Sequence, residues 1–275
     1  MYCRLIVVSA ILLVCGIGRA ESAPPTPYYL ALGDSLSVGT QPTAGVLGPT
    51  TEGYVDDLYA LLRLRRPNLQ LAKLGCSGET TTSLVGGGVC EYQSAATQLA
   101  AAVEFIKTHR VVLITLSIGG HNVLRCVDPG TGIFDPACVQ LGLLAIRPDM
   151  IQILGDLRTA AGPSVPIVGM NYYDPFLAAW TLGLAGQKLA KDSLDVTNVL
   201  NFRLGRAYSF FNVPVADVAR AYRINDFTLV PVFNLPLNVL LELRWTWIGA
   251  SPPDIHPNAT GYAVIALAFL KAIGI

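Results

Sequence analysis

The chain has 275 residues, 52% hydrophobic and 14% charged, with 19 basic and 19 acidic side chains that cancel. That length suits one α/β domain with a full core. The balance argues against a nucleic-acid partner, which needs an unbalanced basic surface, and no Lys/Arg run of useful length occurs.

Residues 1–23 read as an export leader. Arg4 supplies positive charge, Leu5 to Ile17 is apolar, and Gly18-Arg19-Ala20 and Glu21-Ser22-Ala23 offer small residues for cleavage. The apolar run is too short to span a bilayer comfortably, so no transmembrane span is expected in the mature chain. Residues 24–275 are then expected to form a single domain, at or beyond the cell surface. Cys3 and Cys15 leave with the leader, and Cys76, Cys90, Cys126 and Cys138 remain. An even number in an exported chain suggests disulfides, and no Cys/His spacing fits a metal site. Three connectivities are open; the local pairs Cys76–Cys90 and Cys126–Cys138 are expected, each closing a short loop.

In chain order, Tyr28 to Leu32 is a β-prone apolar run that stops at Gly33. Ser35 is thereby left at the carboxyl edge of a sheet, where open α/β sheets keep their binding sites. The bland alternative is a turn with a helix cap. Gln41 to Glu52 reads as a loop and Gly53 to Arg66 as a helix ending before Pro67. Asn68 to Leu74 is a second strand, and Ser94 to His109 a helix with Leu99, Val103 and Ile106 on one face. Val111 to Ile118, ending at Gly119-Gly120, has the unbroken apolar character of a parallel strand buried on both faces.

Leu143 to Ala161 is a helix, Pro166 to Met170 a fourth strand, Ser193 to Phe211 helix-compatible, and Val213 to Ala216 a fifth strand. The last helix runs from about Thr260 to Ala272, with Asn258 or Thr260 as its cap. Strands alternating with helices imply a parallel sheet covered on both faces. Thr228 to Ile248 stands apart: long, apolar and broken by Pro231 and Pro236. It reads as a packed surface loop, with a second reading as the wall of an apolar substrate pocket.

A serine nucleophile needs a base for its proton and donors for its oxyanion. The chain has 3 histidines. His109 precedes a strand, which puts it at the wrong edge of the sheet, on the order of 20 Å from Ser35. His121 follows Gly119-Gly120 on the same edge as Ser35, and His256 lies in the rigid turn Pro252-Pro253-Asp254-Ile255-His256-Pro257 before the last helix.

Four blocks carry a resemblance: Gly33-Asp34-Ser35-Leu36, Cys76-Ser77-Gly78-Glu79-Thr80, Ile118-Gly119-Gly120-His121-Asn122 and Asp254-Ile255-His256-Pro257. In this order they make the chain resemble the SGNH (GDSL) family of serine esterases and lipases over nearly its whole mature length. The Gly-x-Ser-x-Gly elbow of α/β-hydrolases is absent. The resemblance implies a three-layer α/β/α, flavodoxin-like fold around a central, mostly parallel five-stranded sheet. It makes Ser35 the nucleophile, His256 the general base, and the N–H groups of Ser35 and Gly78 oxyanion donors. The family's third block reads Gly-x-Asn-Asp; here His121 holds the Asn position and Asn122 follows. Asn122 is the preferred third donor, with a His121 ring N–H as the alternative. The family's Asp stands three residues before the histidine, where this chain has Pro253; Asp254 or a nearby backbone carbonyl would orient the ring.

The expected activity is hydrolysis of carboxylic esters through an acyl-enzyme, without cofactor or metal. The expected partners are a small-molecule or lipid ester and, transiently, a lipid interface. The Thr228–Ile248 segment inclines the reading towards acyl-chain esters. The alternatives are a carbohydrate O-acetyl esterase on the same scaffold and a non-catalytic exported lipid- or glycan-binding protein with a degraded site.

Overall fold

Among the residues described by the computed structural model (25–43, 45–93, 95–128 and 131–274), five parallel strands form the centre. They are β1 (Pro27–Gly33), β2 (Gln70–Lys73), β3 (Arg110–Ser117), β4 (Ile167–Met170) and β5 (Val215–Ala216), in the order β2-β1-β3-β4-β5. The expected leader, residues 1–23, lies outside the described residues. β1, β3 and β4 are buried almost end to end, which is why they read as continuous apolar runs.

Helices cover both faces. α1 (Tyr54–Arg65) packs against the C-terminal helix on one side, where Tyr54 stacks on Phe269 with ring centroids 4.7 Å apart. α2 (Thr81–Gly86), α3 (Gln98–Thr108), α4 (Gly120–Leu124), α5 (Pro136–Ala161) and α6 (Gly183–Phe210) form the other layer, with α5 packed against each of the rest. α7 (Val218–Ala221), α8 (Leu237–Trp245) and α9 (Ala259–Ile273) complete the chain. By length and composition α5 is apolar enough to cross a membrane; here it packs as a core helix between α3 and α6.

The expected three-layer architecture holds, and several element boundaries change. α5 starts at Pro136, seven residues before the expected Leu143, because Asp135 accepts from the N–H of Ala137 (2.9 Å) and Cys138 (3.4 Å). That is an N-cap followed by proline at the first helical position. α6 begins at Gly183 rather than Ser193, after a 3₁₀ segment at Pro175–Leu182. The expected loop at Gln41–Glu52 contains a small hairpin, Gln41–Thr43 with Val46–Gly48.

Thr228–Ile248 is not a loop. It forms the hairpin Leu229–Val230 with Leu235–Pro236, then α8, then the 3₁₀ turn Trp247–Gly249. Pro231 falls in the hairpin turn and Pro236 is the N-cap of α8, positions where a missing N–H costs little.

The register positions the site. Gly33 at the end of β1 is level with Ser117 at the end of β3, and Ala31 with Lys73 on β2. The chain leaves β1 for β2 on one side and later reaches β3 on the other, so the connections diverge around β1 and open a crevice at its carboxyl end.

Two glycine substitutions are expected to act with opposite sign. Gly33 has φ +131°, and a Cβ there would strike the carbonyl oxygen of Ser117. Gly33→Ala is expected to cost at least about 2 kcal/mol in urea unfolding. Gly205 lies inside α6, and a Cβ there meets nothing within 4 Å. Gly205→Ala is expected to add about 0.5–1 kcal/mol in the same assay.

Candidate active site

Ser35 is presented by a turn pinned at each end. The Asp34 N–H donates to Ser117 O at 2.8 Å, and the Thr40 N–H to Ser35 O at 3.0 Å. The buried Asp34 carboxylate accepts from Tyr172 OH (2.6 Å), the Leu36 N–H (3.1 Å) and, more weakly, Ser117 Oγ (3.5 Å). The hydroxyl of Ser35 is left facing the crevice, where it lines a pocket with His121 and His256.

His256 approaches from the far end of the chain. Its Nε2 lies 2.9 Å from Ser35 Oγ, and its Nδ1 lies 2.8 Å from Asp254 Oδ1. The same Asp254 oxygen accepts the His256 backbone N–H at 2.9 Å. Asp254 thus reaches the ring from two residues upstream, and Pro253 at the family's position is no obstacle. Partial burial works to raise the Asp254 pKa, but the hydrogen bonds and charge of His256 outweigh it and hold the carboxyl below its usual range.

The loop bearing His256 is clamped on both sides. Trp247 donates its N–H to His256 O (2.9 Å), Asp254 donates its N–H to Trp247 O (3.1 Å), and Tyr173 OH donates to Ile255 O (2.9 Å). Asn258 caps α9 and reaches back to Arg244 O at 2.8 Å. The end of the Thr228–Ile248 segment therefore anchors the histidine. It does not wall the pocket, as none of its residues lines it.

Among the described hydrogen bonds, the N–H groups of Ser35 and Gly78 have no partner. Gly78 sits at φ +85°, beside His121: a Cβ on it would lie 3.9 Å from His121 Nε2. The loop before Gly78 is tied to β1 by the Cys76 N–H, which donates to Gly33 O at 2.9 Å. Gln98, which the sequence reading passed over, bonds Gly33 twice, accepting its N–H at 2.6 Å and donating to its carbonyl at 3.0 Å. Its amide also donates to buried Glu79 at 3.1 Å, joining the Gly78 loop to the end of β1.

Asn122, the preferred third donor, has its side chain engaged elsewhere. Its Oδ1 accepts the Thr81 N–H (2.9 Å), and its Nδ2 donates to Thr81 Oγ1 (2.8 Å) and Gly142 O (3.1 Å). It is buried and ties α4 to α2 and α5, while His121 lines the pocket. Consecutive residues of a helix point about 100° apart, so these two cannot share one direction. Burial, then the charges of Arg125 and His256, lower the His121 pKa and favour the neutral ring. A neutral imidazole carries one N–H donor.

Both expected cysteine pairs are bonded: Cys76–Cys90 and Cys126–Cys138, with Cα atoms 6.1 and 5.5 Å apart. Among the described residues, no group of three or more His, Cys, Asp or Glu is placed to hold a metal ion. His109 caps the end of α3 before β3, stacked on Phe105, as the sequence argument requires. The pocket wall beside Ser35 comes from segments the sequence did not single out for it. Val123, Leu124, Phe134, Phe176, Val196 and Leu200 form its apolar part.

A GDSL-like Lipase/Acylhydrolase family model matches residues 31–264. No curated protein matches the chain. Similar solved structures include a lipase from a goat rumen metagenome, 17% identical, covering 90% of this chain and 97% of that one, TM-score 0.57. An extracellular lipase from Streptomyces rimosus has the same identity, coverage and TM-score: 17%, 90% and 97%, and 0.57. A catalytic mutant of an acetylxylan esterase from Geobacillus stearothermophilus is 16% identical, covers 90% and 94%, and has a TM-score of 0.53. At such identities these likenesses establish the fold.

Buried carboxyls around the pocket set a pH dependence. Burial raises Asp34 to about 6 against the pull of Tyr172, Leu36 and His256, and raises Asp174 to about 7 despite hydrogen bonds from Ser193 and Phe176. Burial, then the charge of Asp174, pushes Glu242 up as well. The folded state therefore holds protons that the unfolded chain releases near pH 4. Their stabilisation is complete below that range and is lost as pH rises through about 6 and 7. Asp254 acts in the opposite sense below its ordinary range, and His121, held below the usual imidazole range, opposes the carboxyls as pH falls through that range. Thermal melts are expected to give a higher Tm at about pH 5 than at about pH 8. Asp174→Asn should flatten that slope; a Tm that rises towards pH 8 would contradict the assignment.

Proposed function

Because the chain belongs to the GDSL-like lipase/acylhydrolase family, we propose that it hydrolyses carboxylic esters through an acyl-enzyme on Ser35. The observation that carries this reading is the linear array Ser35 Oγ–His256 Nε2, His256 Nδ1–Asp254 Oδ1, at 2.9 and 2.8 Å. His256 takes the Ser35 proton as Oγ attacks the ester carbonyl, and Asp254 holds the ring and the positive charge that forms on it. The oxyanion is received by the N–H groups of Ser35 and Gly78, with His121 as third donor in the tautomer that protonates Nε2. His256 then returns the proton to the leaving alcohol. Water, deprotonated by the same ring, releases the acid.

Acyl-chain or lipid esters are the favoured substrates, because the wall formed by Phe134, Phe176, Val196 and Leu200 is apolar. The second reading, a carbohydrate O-acetyl esterase, is favoured by the small size of the pocket, about 50 Å³. The two disulfides support export, with residues 1–23 removed and residues 24–275 acting as one domain at or beyond the cell surface.

A fluorophosphonate probe is expected to label Ser35, and Ser35→Ala to abolish both labelling and ester hydrolysis. A folded wild-type protein without labelling would sink the reading. His256→Ala is expected to remove nearly all turnover, and Asp254→Asn to lower kcat by up to roughly 10⁴.

The two neighbours in α4 should separate cleanly. His121→Ala is expected to lower kcat about 10²–10³-fold with little change in Tm. Asn122→Ala, which strips partners from Thr81 and Gly142, is expected to lower stability by about 1–3 kcal/mol in denaturant titrations.

A further inference from the structure

The pocket beside Ser35 has a cavity volume of about 50 Å³. That is room for roughly four waters, so it holds only the first carbons of an acyl group. Phe134 and Val196 line it and also line a second, larger groove of about 820 Å³. This groove lies between the start of α5, which contributes Val139 and Leu143, and the first half of α6, which contributes Leu189 and Ala185. Phe134 packs edge-on against Phe176, a wall of the small pocket, with ring centroids 5.3 Å apart.

We propose that this groove is the acyl-chain subsite, so that the substrates are medium- and long-chain carboxylic esters rather than acetyl esters. The proposal rests on the serine-esterase reading above. Three features support it. The groove adjoins the pocket of Ser35 and shares two apolar side chains with it, Phe134 and Val196. Its charged members are engaged with other protein groups: Lys188 pairs with Asp192 at 2.5 Å, and Arg203 donates to Leu143 O at 3.3 Å. Its apolar members Ile133 and Leu182 stay 63% and 75% exposed, surface that an alkyl chain would cover. A polysaccharide laid along Val139, Leu143 and Leu189 would leave hydroxyls without partners.

The groove also sets a length. Val196, Leu189 and Ala185 are spaced along one face of α6. Seven and eleven residues of helix correspond to about 10 and 16 Å. An extended chain advances about 1.2 Å per bond, so those marks lie about eight and thirteen bonds beyond the shared wall. Chains of roughly ten to fourteen carbons should fill it, each buried methylene adding up to about fourfold to kcat/KM.

The test is a kcat/KM profile on p-nitrophenyl esters from acetate to palmitate, for wild type, Leu189→Trp and Ala185→Trp. Wild type is expected to climb with chain length to an optimum near ten to fourteen carbons. Leu189→Trp should move the optimum to about eight carbons or fewer, lowering the decanoate-to-butyrate ratio at least tenfold. Ala185 is exposed, so its replacement is compatible with folding; Ala185→Trp should clip only the longest chains. A wild type fastest on acetate, a ratio unchanged in the folded variants, or an equal fall on all esters would overturn the proposal. Ser35-dependent butyrate hydrolysis with a flat profile overturns the groove alone. Absence of any Ser35-dependent turnover overturns the esterase reading and the groove together.

Discussion

The end of β1 is the constraint on which the site depends. Gly33 is bonded on both sides at once: to the Cys76 N–H at the exit of β2 and to the side chain of Gln98, with the Asp34 N–H on Ser117 at the exit of β3. The left-handed φ of Gly33 lets the backbone come this close to Ser117, where any Cβ would collide. Because β2 and β3 are in register with β1, the segments that follow them emerge beside Ser35. Gly78 and His121 are therefore neighbours of the nucleophile by sheet geometry, although they stand 43 positions apart in the chain. The oxyanion donors proposed here are backbone groups and one ring, held by the strand ends, and preorganised donors of this kind need no rearrangement as charge develops.

The histidine has no such sheet connection and is placed by a different device. Its loop hangs between α8 and α9, held by Trp247, Tyr173 and the Asn258 cap. This gives a physical purpose to the apolar, proline-broken segment before it. Apolar composition and two prolines read as a loop because neither proline could be assigned a place by periodicity. Paired in space, they are a turn and an N-cap, and the helix between them and His256 sets where the ring stands. Asp254 follows the same logic: its oxygen bonds both the ring and the backbone of His256, so a spacing of two is enough to reach the imidazole.

What was legible in the sequence follows from range of interaction. The five strands, the positions of Ser35 and His109 at opposite edges of the sheet, and both disulfide pairings depend on local pattern or on order along the sheet, and the fold has all of them. The choice between His121 and Asn122 depends on which face of a short helix meets α2 and α5, and nothing local encodes that. The pocket wall was hidden for the same reason. Phe134, Phe176 and Val196 come from a loop, a 3₁₀ segment and a long helix, and each reads alone as ordinary core. Gln98 was invisible because a glutamine at the start of a helix carries no signal until Gly33 and Glu79 are placed against it.

The disulfides belong to the same account, since each staples a loop that forms one side of the crevice. Cys76–Cys90 closes the segment that begins two residues before Gly78, and Cys126–Cys138 closes the one that carries Phe134. The second loop is further held by a bridge between Val127 and Phe134 and by the Asp135 N–H on Cys126 O at 2.9 Å. Beyond the Cys76 N–H on Gly33 O, neither loop shows pairing with the central strands among the described residues. Without such ties, Gly78 and Phe134 would each sit on a chain with many accessible conformations, and a displacement of about 1 Å can cost a catalytic site about 10²-fold. The short cross-links remove that freedom at the two places where the scaffold of strands does not reach. The cysteines therefore do more than add stability: they extend the rigidity of the sheet edge outward to the loops that line the crevice.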